Sequence, residues 1–259
     1  MENRNSSCCK LGTIISVVAL LVSSAAYFCP KKASESCSSS TFDEKVKGIM
    51  VDAIKKNPQL LMDAMGEGIA KKREDTIKQL STDVAEKSAD ISKLSMKFGK
   101  MDSKTSVICF FDPLCKHCIE FQKSMITLVK AKKDVCFKMM PVAVLGEDSV
   151  TLAKVYVAAY DKSPEKALTF IEKITSNDNE MDKAAIEKAL TAAGLDNKEI
   201  EGMLADSDKK LAENGKIAES LRVPVVPAIF LAKGSDISMI QTTETDALLA
   251  AIEGKPASK

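Results

Sequence analysis

The stretch Thr105 to Gln122, TSVICFFDPLCKHCIEFQ, limits the possible folds more than any other part of the chain. Ser106 to Phe111 is a short run of apolar, β-branched and aromatic residues with the length of a buried strand. Asp112-Pro113 breaks that run. From Cys115 onward, Ile119, Phe121, Ile126 and Val129 are spaced to share one face of a helix, with charged residues between them. Cys115-Lys116-His117-Cys118 therefore sits where a strand hands over to a helix.

That placement decides the chemistry. Backbone N–H groups in the first turn of a helix lack partners and carry partial positive charge. A sulfur at Cys115 would face them, with Lys116 and His117, the chain's only histidine, beside it. Such surroundings lower a cysteine pKa from about 8.5 to between roughly 3.5 and 7.5. Favouring the thiolate stabilises the reduced pair, so the disulfide becomes a stronger oxidant. Cys118, one turn on, is close enough to close a disulfide and is expected to be buried. It can then release a mixed disulfide formed at Cys115. Two other uses of C-x-x-C compete. Half a zinc site needs two more convergent ligands, yet no second C-x-x-C exists and Cys109 and Cys136 fall in expected core strands. An inert structural disulfide fits a two-residue spacer poorly, because that arrangement is strained and reducible. Redox exchange is the expected use, with no metal and no cofactor.

At 259 residues the chain can bury one sizeable core and carry an appended element. Its 37 basic and 36 acidic residues leave no electrostatic case for nucleic acid. The eight cysteines, Cys8, Cys9, Cys29, Cys37, Cys109, Cys115, Cys118 and Cys136, do not form the dense pattern of a small disulfide-stapled domain. Outside the C-x-x-C their spacing argues no pairing.

Leu11 to Phe28 is uncharged, and Ser24-Ala25-Ala26 offers a small-x-small cleavage site. Residues 1–28 are expected to be a secretory signal or, alternatively, a membrane anchor of near-minimal length. Cys29 invites a lipoprotein reading, but Tyr27 and Phe28 stand where lipid attachment wants small residues. Either way the remainder is expected in a compartment where disulfides persist. Residues 29–40 read as a linker. Thr41 to Glu44 forms a capping box, after which Val46, Ile49, Met50, Ala53 and Ile54 follow helical spacing. Asn57-Pro58 ends that helix and starts another, whose charged run extends to about Lys87. A polar stretch from about Ser88 to Lys104 precedes the C-x-x-C strand. The apolar stripe of these N-terminal helices is expected to pair with copies of itself, with Met50, Met62 and Met65 making the surface adaptable. The alternative is packing back on its own domain.

Val135 to Val144 is a second strand candidate, and a long helical region opens at Ser149. Ser163-Pro164 restarts a helix, Asp182 to Ala193 gives another closed by Gly194, and Asn197 to about Leu221 supplies one or two more. Arg222 to Leu231 brings Pro227 immediately before an apolar strand, a place where a cis peptide can be used. Ile237 to Gln241 is a hairpin partner, and Thr243 caps a last helix reaching Ile252.

Taken together, Phe110-Phe111-Asp112, Cys115-Lys116-His117-Cys118, Met140-Pro141-Val142 with Gly146 and Ser149, and Val226-Pro227-Ala228-Ile229-Phe230 resemble the exported DsbA-like branch of the thioredoxin superfamily. The resemblance covers residues 105–259. A lone C-x-x-C is a weak signal, whereas C-x-x-C with a distant V-P-A-x-F in this order is specific. The helices around Asn57-Pro58 look like the N-terminal stalk of oligomeric, disulfide-shuffling relatives of the ScsC type. An α/β thioredoxin-like fold is implied, with a helical insertion at about 148–221 and an N-terminal helical region at 41–104. The resemblance makes Cys115 the exposed nucleophile, Cys118 the resolving thiol and His117 the group that stabilises the Cys115 thiolate, with Lys116 tuning it. It makes Pro227 cis, and lets the Val226 backbone pair with an extended substrate. Many relatives place a buried acid six positions before the nucleophile. Cys109 stands there, either as a small hydrophobe or as a third thiol reactive under oxidation, and Asp112 or Glu120 are candidates for the missing acid–base role.

Three functions follow from the resemblance. The first is an oxidase that donates the Cys115–Cys118 disulfide to cysteine-containing exported proteins, in the bacterial periplasm. The second is an oligomeric isomerase or reductase, and the third a non-catalytic scaffold that kept the fold. Lys116-His117 and Val226 favour the oxidase, and the N-terminal helices favour the isomerase. The implied partner is a DsbB-like membrane oxidase in one case and a DsbD-like membrane reductant in the other.

Overall fold

Proline lacks an amide proton and clashes with the preceding turn, so Pro58 can open a helix but not sit inside one. Accordingly α1 (Ser39–Lys56) stops just before Asn57, and α2 (Pro58–Glu86) starts immediately after it. The structure, a computed structural model, describes residues 39–176 and 181–255. The expected leader, nearly all of the expected linker, and Cys8, Cys9, Cys29 and Cys37 lie outside the described residues. The chain divides into two units, residues 1–65 and 66–259. In the first, Ile49, Met50, Met62 and Met65 are all more than half exposed. α1 begins two residues before the expected capping box, a shift within the ordinary fraying of helix ends.

In the second unit, α3 (Ser88–Leu94) and β1 (Met96–Gly99) occupy the region expected to be a polar connection. Lysines at 93, 97 and 100 mask β1 in the sequence, where only Met96 and Phe98 point inward. β2 (Thr105–Phe111) leads through the C-x-x-C into α4 (Lys116–Lys130), and β3 (Cys136–Pro141) follows. β3 is shorter than expected at both ends. Four helices then intervene: α5 (Glu147–Lys162), α6 (Pro164–Thr175), α7 (Lys183–Ala192) and α8 (Asn197–Ser220). Ser163, Asp182 and Asp196 cap the last three with side-chain acceptors, and Gly194 closes α7 at φ +70°. β4 (Ala228–Lys233), β5 (Asp236–Ile240) and α9 (Thr245–Glu253) complete the chain. Glu244, not Thr243, stands at the start of α9, because the Thr243 carbonyl accepts the Ser124 hydroxyl at 2.6 Å.

The strands form one mixed sheet in the order β1-β3-β2-β4-β5. β2 runs parallel to β3 and antiparallel to β4, with Cys109 opposite Met139 on one side and Ile229 on the other. Central β2 is covered on both faces, which is why its sequence reads as an unbroken apolar run. Val107, Cys109 and Phe111 meet Phe121, Met125 and Leu128 of α4. Ile108 and Phe110 meet Leu80 and Val84 of α2 and Ile91 of α3 on the other face. The fold is thus α/β and thioredoxin-like, with α4 pinned to the sheet by aromatic and aliphatic side chains each worth about 1.5–3 kcal/mol when buried.

Candidate active site

Asp112 organises the turn between β2 and α4. Its Oδ1 accepts the Leu114 amide at 2.8 Å and its carbonyl accepts the Cys115 amide at 3.2 Å, an Asx turn that swings the chain out of the sheet. Its Oδ2 accepts the amides of Val144 and Leu145, at 2.7 and 3.0 Å, and the Ser149 hydroxyl at 2.6 Å. Asp112 is fully buried. Both of its oxygens are therefore occupied by donors from two segments, so it holds the turn against the loop after β3.

Cys115 occupies the cap position of α4 with an extended backbone, at φ −74° and ψ 123°, and its carbonyl accepts the Ile119 amide. Its half-buried thiol donates to the Val226 carbonyl at 3.6 Å. The Val226–Pro227 peptide is cis, as the position of Pro227 led one to expect. Two segments more than a hundred residues apart in sequence thus meet at the Cys115 sulfur.

Cys118, on the first turn of α4, is fully buried. Burial pushes its thiol well above the ordinary range, with the Cys115 sulfur and the charge of Asp112 adding to the effect and the Asp112 backbone amide opposing it. Gln122 Nε2 donates to the Cys118 carbonyl at 3.2 Å, and the Tyr156 hydroxyl donates to Gln122 Oε1 at 3.0 Å, all out of solvent. Burial, and next the charge of Cys118, push the Tyr156 phenol up as well. Sequence reasoning missed this network. Its one signal is a glutamine four residues after Cys118, in line with the buried face of α4.

Cys109 lies at the centre of β2 and shares the core with Cys118. Burial, then the charges of Cys118 and Cys115, raise its thiol well above the ordinary value. Lys116 and His117 are exposed. His117 Nδ1 lies 3.1 Å from Glu120 Oε2, so Glu120 is engaged on the surface and away from Cys118. Cys136 is buried at the other end of the sheet, opposite Gly99 and Ser106. Among the described residues, no group of three or more His, Cys, Asp or Glu could hold a metal ion. No described helix is long and apolar enough to cross a membrane.

The sequence profile of the thioredoxin family matches residues 92–253. No curated protein matches the chain by sequence. Among solved structures, BcfH from Salmonella enterica Typhimurium superposes with a TM-score of 0.70 at 15% identity, over 83% of this chain and 96% of its own. A linker-deleted variant of ScsC from Proteus mirabilis gives 0.58 at 18% identity, over 86% and 98%. The thiol-disulfide exchange protein α-DsbA2 from Wolbachia pipientis gives 0.58 at 19%, over 68% and 95%. These likenesses are of fold.

Proposed function

The chain belongs to the thioredoxin family, and from that premise we propose that it is a thiol–disulfide oxidoreductase acting on exported, cysteine-containing proteins. In the oxidising direction a client thiolate attacks the Cys115 sulfur of the Cys115–Cys118 disulfide, and Cys118 leaves as a thiolate. A second client thiolate then attacks the client sulfur of the mixed disulfide and releases Cys115. Two electrons pass to the enzyme, and the reverse sequence reduces a client. One piece of geometry supports this reading above the rest. The Cys115 sulfur reaches the Val226 carbonyl at 3.6 Å beside a cis Val226–Pro227 peptide, while Cys118 is buried one turn further in. An extended client strand laid along the Val226 loop brings its own sulfur to Cys115 and away from Cys118.

With a client whose one cysteine is held as a mixed disulfide with a small aromatic thiol, reduced Cys118→Ser should trap the client on Cys115 as the aromatic thiolate leaves, and Cys115→Ser should trap none. Non-reducing mass spectrometry reads the adduct. Adducts on Cys118 in the Cys115→Ser protein would overturn the role given to each.

Net oxidation is the direction proposed, with Lys116 and His117 beside the reacting sulfur and a DsbB-like membrane oxidase as electron acceptor. The second reading is an oligomeric isomerase or reductase kept reduced by a DsbD-like partner. It is favoured by the apolar side chains exposed on α1 and the start of α2, which would pair with copies of the chain. Both readings place the protein in the periplasm, brought there by residues 1–28. A reduction potential near about −120 mV, on the scale where thioredoxin lies near about −270 mV, together with a monomeric full-length chain, selects the oxidase. A more reducing potential in a stable oligomer selects the isomerase.

A further inference from the structure

A cleft of about 690 Å³ opens beside the Val226–Pro227 loop. His117 and the Pro224–Pro227 segment line one side of it. The residues after β5 line another, and α2, at Ile69 to Leu80, closes it. Its floor is apolar, with Ile69 and Val225 each more than 60% exposed. Its charge is one-sided. Among the described residues, the ionisable groups lining it are Lys72, Arg73 and His117 and no carboxylate lines it, although the chain as a whole carries 36 acidic residues against 37 basic. Arg73 Nη2 donates to Gln241 Oε1 at 2.9 Å, which anchors the guanidinium at the mouth and leaves its other donors available. Lys72 is exposed and makes no ion pair among the described residues. Glu120 is bonded to one lining residue, His117, at 3.1 Å.

We propose that this cleft seats the extended segment flanking a client's reactive cysteine, and that Lys72 and Arg73 select clients with a carboxylate side chain in that segment. The inference rests on the oxidoreductase reading and adds a substrate class to it. An apolar floor holds the side chains of an extended peptide, and the cationic wall raises the encounter rate with an acidic one. α2, outside the strand–helix unit that carries the chemistry, then becomes a specificity element for it.

The test uses the oxidised full-length chain and three peptides, each with one cysteine, apolar neighbours, and Glu, Gln or Lys placed three residues from the sulfur. In each reaction the peptide thiolate displaces Cys118 from Cys115. Rates are normalised to the reaction of the same peptide with a small aromatic disulfide, which cancels the effect of the charge on the thiol itself. The Glu peptide should react about three- to tenfold faster than the Lys peptide at low salt, and the ratio should approach one in 0.5 M salt. The double variant K72E/R73E should invert the ratio, and K72Q/R73Q should bring it to one. A ratio of one in the unaltered protein at low salt overturns the inference, and so does a preference for Glu that survives in both variants. A chain that exchanges with no peptide and no small disulfide fails at the oxidoreductase reading instead, and removes both.

Discussion

Asp112 is the residue on which the geometry around Cys115 most depends. Its Oδ1 accepts the Leu114 amide and its Oδ2 accepts three donors from the segment after β3, so the carboxylate ties the turn that carries Cys115 to that segment. Asp112→Asn turns one acceptor oxygen into a donor that must face other donors. The expected cost is about 2–3 kcal/mol of stability, seen as a lower urea midpoint, with slower exchange at Cys115 because the loop at Val144 and the first turn of α5 are no longer tied to the turn. A variant with unchanged stability and only a shifted pH–rate profile would instead show acid–base work. At this scale the sequence was readable where chemistry is local. Cys115, Cys118 and Pro227 announce themselves by spacing and by their neighbours along the chain. The contacts of Asp112 with Ser149 and of Gln122 with Tyr156 join residues more than thirty apart, and no local pattern encodes such a pairing.

Among the elements, α2 departs most from expectation. Its C-terminal half is a charged run in the sequence, yet Leu80 and Val84 are buried against Ile108, Phe110 and Phe230. Two apolar residues four apart among charged ones make a faint stripe, too narrow to distinguish a packed face from a solvated one. β1 escaped notice for a related reason, since four residues interrupted by a lysine fall below the length at which alternation is legible. β2, α4, β4 and the Ser163, Asp182 and Gly194 helix signals were legible because each carries its own period or cap. Leu80→Ala should remove about 2–4 kcal/mol through the cavity left under the sheet, measured by urea denaturation of the reduced chain. A negligible loss would mean that α2 packs only loosely there. Deleting residues 41–87 to test the N-terminal helices would also uncover this core face. A cut at 41–65, inside the first unit, is the cleaner experiment.

For the whole molecule, the buried thiols couple redox state to pH stability. Burial raises the folded-state pKa values of Cys109, Cys118 and Cys136 above the ordinary thiol value. In the unfolded chain they ionise near pH 9, whereas in the folded chain they keep their protons to higher pH. Above about pH 9 the unfolded state therefore binds fewer protons, and unfolding becomes easier as pH rises. The stability is fully present below that value and is lost progressively toward the folded-state values, at up to about 1.4 kcal/mol per pH unit for each thiol. Closing the Cys115–Cys118 disulfide removes Cys118 from the titration in both states. The oxidised protein should therefore lose stability less steeply than the reduced protein between pH 8.5 and 10, and Cys109→Ala should flatten the reduced curve as well. Urea midpoints collected in both redox states over that range measure the two slopes. Because the difference in slope is a difference in bound protons, the same experiment implies that the reduction potential changes its pH dependence above about pH 9 when the chain unfolds. Identical slopes in the two states would mean that Cys118 titrates alike folded and unfolded, which its complete burial against Gln122 and the α4 core does not allow.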